Sequence, residues 1–297
     1  MKKINILVAG LLLLATAQAQ NVDKLIKEKE VRRIETILAA DDMQGRRTFT
    51  PGIEKAAAFI ADEFKATGLQ TLNNSGSYLQ SFAMVRTKFL GTSGSFDGAA
   101  IDKKDIIVVT TQASISINET SGFEKIIIGK TANLMSEARK LAGLKKNALV
   151  IVDTSFAKTF SGLTRLKSNL FKSDKSVIFV LSATNPTSYS FEAKHEITEM
   201  PLANVVGVLP GKSRPDEIVI FSGHYDHLGI TSKDRNGNVL TDSIFNGAND
   251  DAAGTTAMIV LAKYFKALGN NERTLVFAAF TAEEVGGFGA TYFSNQF

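Results

Sequence analysis

The chain has 297 residues, 44% of them hydrophobic, and a formal net charge of +4, of which Lys2 and Lys3 supply two units. That is apolar material enough for a large core in one or two domains, with a charge too balanced for nucleic-acid binding. The absence of cysteine excludes disulfides, cysteine-ligated metals, thiol catalysis and a lipid anchor on cysteine, and leaves His195, His224 and His227 as the only imidazoles.

Residues 1–19 read as a secretory signal, with Lys2 and Lys3 at the charged start, an apolar stretch from Ile4 to Ala15, and Ala17-Gln18-Ala19 as the cleavage site. The apolar stretch is shorter than the ~20 residues that cross a bilayer, so no membrane anchor is expected. The mature chain is expected to start at Gln20 and to be periplasmic or secreted.

Two helices follow. The first covers 22–40, with Leu25, Ile34, Ile37 and Leu38 apolar. In the second, Thr50 caps, Pro51 suits the first turn, Ile53, Ala56, Ala57, Ile60 and Phe64 share a face, and Gly68 ends it. The polar stretch DDMQGRRTFTPG lies between them, and Arg46 and Arg47 read there as exposed loop residues.

A strand is expected over 79–90. Between 87 and 200 the pattern turns to short β-like runs at 106–110, 125–128, 148–152 and 177–181, with a helix at 132–142 and no cluster of metal-ligating residues. This stretch reads as an inserted β-rich domain, and His195, in the polar run EAKHEITE, as a surface residue. Residues 203–209 and 217–222 then read as buried strands joined by PGKSRPD, 250–268 as a helix closed by Gly269, and 274–280 as a third buried strand. Apolar strands alternating with helices give an α/β fold with a mixed, mostly parallel sheet flanked by helices.

Three motifs carry chemistry: GHYDHLG at 223–229, NGANDDAAG at 246–254 and FTAEEVGGFG at 280–289. Active groups of open α/β sheets gather outside the carboxyl ends of strands. His224 follows one strand, Glu283 and Glu284 follow another, and Asp250 and Asp251 open the helix between them. His224 offers a nitrogen to a metal, and Asp226 can fix its tautomer. Asp250 can give one oxygen to each of two ions. Glu283 and Glu284 divide into a general base and a ligand. His227 reads equally as a cleft residue or a polar loop residue. There is no GxSxG nucleophile elbow.

At these motifs the chain resembles the co-catalytic di-zinc aminopeptidases of the bacterial leucyl aminopeptidase type, strongly over 203–293 and weakly over 87–200, where the likeness is to a protease-associated insert. The resemblance implies that His224 binds one zinc, Asp250 bridges both, Glu284 binds the other, Glu283 is the general base and Asp226 orients His224. It implies two zinc ions per intact site, peptide substrates with a free N-terminus, no nucleic-acid partner, and a cis peptide between Asp250 and Asp251. The domains are then a signal peptide at 1–19, an aminopeptidase domain at 20–86 and 201–297, and the insert at 87–200. The family also supplies a further Asp and a further His downstream, and Phe297 stands only thirteen residues beyond Glu284. The expectation is therefore a C-terminally truncated chain, inactive as it stands, from an active parent. A single-zinc glutaminyl cyclase and a non-catalytic, receptor-like relative are the alternatives.

Overall fold

A computed structural model describes residues 22–143, 145–233 and 236–296. The signal segment at 1–19 lies outside them. None of the described helices is long and apolar enough to cross a membrane.

The larger sheet runs in the order Arg214–His224, Arg273–Phe280, Tyr189–Leu209, Leu79–Phe96, Ala99–Ala100. It is mixed, but among the described residues only the first pair is parallel; the other pairings of this sheet are antiparallel. The expected parallel majority is thus corrected. The reason lies in Leu79–Phe96 and Tyr189–Leu209, which form one long antiparallel ribbon, with Leu79 opposite Val205 and Phe96 opposite Tyr189. Tyr189–Leu209 alternates buried and exposed residues along its first half, so the run EAKHEITE is strand rather than loop. His195 is accordingly 3% exposed, and the surface reading is wrong.

The parallel pair is joined by the helix Ala253–Leu268, a strand–helix–strand crossover. Arg214–His224 stands at an edge of the described sheet, with Ile218, Val219 and Ile220 exposed. The reading of 217–222 as a buried strand is corrected by that position.

The helix Pro51–Thr67 starts after an extended Thr50 and ends at Gly68 in the left-handed region, φ 75°. Thr50 does not cap it: its hydroxyl donates to Arg47 O at 2.6 Å. The first expected helix is two pieces, Val22–Leu25 and Glu28–Leu38. Ile34, Leu38, Ile60, Phe64, Val205, Ile259 and Phe277 pack the helices onto the sheet, each such buried side chain contributing about 1.5–3 kcal/mol.

A second sheet, in the order Ile106–Thr110, Ser176–Leu181, Ala148–Val152, Glu124–Ile128, falls within the interval read as an insert. Val109, Val150 and Phe179 pack on one face with Phe160 and Leu163. Val108, Leu149 and Ile178 pack on the other against Phe96 and Phe191 of the long ribbon.

Candidate metal centre

The crossover explains why three sequence-distant motifs meet. In the parallel pair His224 is opposite Phe280, and the N–H of Tyr225 donates to Phe280 O at 2.9 Å. Both strands leave the sheet at the same edge, carrying 224–227 and 281–284 side by side. The connecting helix begins at that edge, so Asp250 and Asp251 arrive there as well.

Asp251 fixes this junction. Its carboxylate accepts the N–H of His224 at 3.0 Å and that of Gly254 at 3.1 Å, and Thr255 Oγ1 donates to His224 O at 2.9 Å. A Cβ on Gly254 would lie 2.2 Å from Asp251 Oδ1, so the carboxylate has a seat only because residue 254 has no side chain. The Asp250–Asp251 peptide is cis.

The candidate ligands come together around Asp250. His224 Nε2 is 3.0 Å from Asp250 Oδ1. His227, Asp250 and Glu284 each offer an atom within 4.8 Å of the others, and His227 Nδ1 is 2.8 Å from Glu284 Oε1. The sequence reading left His227 outside the ligand set; the structure puts its ring against Glu284. The signal for it was its place three residues after His224, on the same post-strand loop.

Asp226 has no exposed surface. His224 Nδ1 is 3.1 Å from the main-chain carbonyl of Asp226 and 3.7 Å from its Oδ1. A carbonyl only accepts, so Nδ1 carries the proton in that bond and Nε2 is the atom turned to Asp250. Burial pulls the His224 ring down, but the Asp226 hydrogen bond and the charges of Asp226 and Asp251 outweigh it, raising the pKa to about 9. A metal at Nε2 must displace the proton that the charged ring carries there, while Nδ1 keeps its own. Burial pushes the neighbouring Tyr225 phenol up; its hydroxyl donates to Ala203 O. Glu283 is exposed and Glu284 half-buried.

Imidazole and carboxylate donors suit zinc. Two donors on one tetrahedral zinc, with bonds of roughly 2.1 Å, stand about 3.4 Å apart. His224 Nε2 and Asp250 Oδ1, 3.0 Å apart, meet that spacing; His227, Asp250 and Glu284, spread over 4.8 Å, fit zinc by donor type and must draw closer to share one ion.

Residues 204–296 match the family model described as peptidase family M28. That stretch holds all three motifs. A probable zinc metalloprotease from Pyricularia oryzae is 34% identical over 96 residues, covering 32% of this chain and 18% of its own length. Aminopeptidase NAALADL1 from Rattus norvegicus is 28% identical over 100 residues, covering 32% of this chain and 11% of its own length. The chain therefore spans about a fifth, or less, of these curated relatives. Among solved structures, an aminopeptidase from Aneurinibacillus sp. strain AM-1 aligns with a TM-score of 0.46 at 15% identity, over 93% of this chain and 68% of its own. A zinc aminopeptidase from Bacillus subtilis aligns with a TM-score of 0.42 at 15% identity, over 92% and 66%. The likeness read from the motifs agrees with the matched family model and with the names of the curated relatives, a probable zinc metalloprotease and an aminopeptidase.

Proposed function

We propose that these residues form the metal centre of a zinc peptidase that hydrolyses the N-terminal peptide bond of peptides. The observation that carries this is Asp250, which faces His224 on one side and the His227–Glu284 pair on the other. Such a shared carboxylate is suited to two neighbouring ions. His224 and Asp250 would hold one zinc, Asp250 and Glu284 the second. His227 keeps one oxygen of Glu284 in place and leaves the other for the metal. Bound there, zinc supplies a Lewis acid for the scissile carbonyl.

Glu283 is the general base. Its backbone is held at the mouth of the site by Asp226, and its exposed carboxylate is free to take a proton from the attacking water. The same carboxyl then returns the proton to the leaving amine. In this assignment each ion has two protein donors where a catalytic zinc commonly has three, so both are held loosely and turnover is slow. We also read 1–19 as an export signal, and 87–200 as an insert carried on the long ribbon.

The test is zinc titration of the full chain followed by assay on aminoacyl-anilides. Two ions are expected per chain, with Asp250→Asn abolishing both. Glu283→Gln keeps the zinc and loses hydrolysis by at least about 100-fold, the lower range for a general base. A chain that binds no zinc overturns the reading. One zinc, with cyclisation of N-terminal glutamine in place of anilide hydrolysis, favours a glutaminyl cyclase.

A further inference from the structure

Arg46 was read from sequence as an exposed loop residue, yet it has no exposed surface. Its backbone lies at φ 47°, a left-handed conformation that side-chain-bearing residues rarely adopt and that surroundings must hold. The guanidinium donates four hydrogen bonds, all to main-chain carbonyls: Nε to Tyr225 O at 2.9 Å, Nη1 to Asn246 O at 2.6 Å and to Leu38 O, and Nη2 to Gly247 O at 2.9 Å.

Two of these segments carry the proposed metal donors. Tyr225 lies between His224 and Asp226. Asn246 and Gly247 precede Asp250 by four and three residues. The chain around Arg46 repeats the attachment: its own carbonyl accepts the N–H of His227 at 3.1 Å, and the buried Thr48 donates Oγ1 to Asp226 Oδ2 at 3.1 Å. Removing a cation from water is costly unless it is hydrogen-bonded and compensated. The hydrogen bonds are those four, and the compensating field comes from Asp226, Asp251 and Asp250.

We propose that Arg46, with Thr48 beside it, is the positioning residue of the metal centre. This rests on the zinc reading above. The guanidinium ties the His224 loop to the Asp250 loop through carbonyls, and makes no ion pair with a carboxylate among the described residues. Asp250 and Glu284 thus keep their charge for a divalent cation, while the spacing between their loops is set before any cation arrives. The planar fork is essential, because its donors serve separate segments at once. A lysine keeps the charge but offers one compact head, which cannot reach all of those carbonyls.

The experiment compares the full chain with Arg46→Lys and Thr48→Val, titrating zinc by competition with a chelator and recording the visible spectrum of the cobalt-loaded forms. Arg46→Lys is expected to weaken zinc binding by about 10–100-fold, the usual effect of losing an outer partner of a metal site. It is also expected to shift the cobalt bands, at a temperature where far-UV circular dichroism reports a folded chain. A purely structural residue would lower the melting temperature and leave both metal readouts alone. That result in folded Arg46→Lys overturns the proposal. Should Arg46→Lys fail to fold, Thr48→Val decides: weaker zinc and shifted bands support the proposal, and unchanged values overturn it. If the unaltered chain binds no zinc, the zinc reading falls first and this one with it.

Discussion

Asp226 Oδ1 accepts the backbone N–H of Glu283 at 3.0 Å, across 57 residues of sequence. Its other oxygen accepts from Glu284 N at 3.2 Å and from the Thr48 hydroxyl. The acid expected to orient a histidine ring therefore spends its carboxylate on the loop that carries the base, and turns its main-chain carbonyl to the ring. One buried anion joins the His224 loop, the Glu283 loop and the N-terminal segment.

Asp226→Asn tests that junction. The carboxylate receives three donors, and an amide in its place must turn its own N–H₂ toward at least one of them. Hydrogen bonds to a buried charge are worth about 1.5–3 kcal/mol each, and an unsatisfied donor adds its desolvation cost. We expect a loss of about 2–4 kcal/mol in urea denaturation of the metal-free chain. An unchanged midpoint would mean that Asp226 acts on the ring alone.

Gly254→Ala should be costly although alanine is the better helix former. The new Cβ would stand 2.2 Å from Asp251 Oδ1, which must leave the N–H groups of His224 and Gly254. Overpacking of this kind costs about 1–3 kcal/mol. The variant should melt earlier and bind zinc more weakly. Gly143→Ala, with nothing within 4 Å of the added carbon, is the control.

The parts of this architecture written in local pattern were legible. Pro51 and Gly68 bracket their helix, and the strand–helix–strand order around Ala253–Leu268 explains why His224, Asp250 and Glu284 share one edge. What was not legible depends on distant partners. Arg46 looks like a loop arginine because the carbonyls that bury it lie at 225 and 246–247. Ile218–Ile220 reads as buried because its apolar run cannot say where the strand stands in the sheet. His195 differs: the alternation Phe191, Ala193, His195 marks a strand face, but the charged residues between them give the run the composition of a solvated loop.

His195 should make the fold sensitive to mild acid. Neither ring nitrogen has a hydrogen-bond partner among the described residues. The ring meets the edge of Phe89, with centroids 5.8 Å apart. Burial, then the nearby charge of Lys167, lowers its pKa from 6.5 to about 4. The fold favours the neutral ring, so this contribution is whole above pH 6.5 and is lost as pH falls toward 4. At pH 5 the loss is about 2 kcal/mol, from ~1.4 kcal/mol per pH unit between the two pKa values. His195→Leu should match or exceed the parent at pH 7.5 and lose less between pH 7.5 and 5. Parallel stability curves for the two chains would refute the buried neutral histidine.

The helices behind the site share a charge cluster that should fail at lower pH. Arg33 Nη2 lies 2.8 Å from Glu30 Oε1 and 2.7 Å from Glu63 Oε1; Lys263 lies 2.6 Å from Glu63 Oε2 and also pairs with Glu30. It joins Glu28–Leu38, Pro51–Thr67 and Ala253–Leu268, the last being the helix that Asp251 opens. The Arg33 hydrogen bond, opposed by burial and helped by Lys263, lowers Glu30 from 4.5 to about 2. A depressed carboxylate stabilises the fold above its unfolded pKa, so this part is present above pH 4.5 and disappears between 4.5 and 2. Glu30 is 34% exposed and Glu63 11%. Solvent screens the first, and Glu30→Gln should cost only about 1 kcal/mol at pH 7. Glu63→Gln leaves two cations facing a neutral amide in a drier place and should cost about 2–3 kcal/mol. Both glutamates pair with Arg33 and Lys263, so equal losses for the two variants would mean that exposure does not set the strength of the cluster.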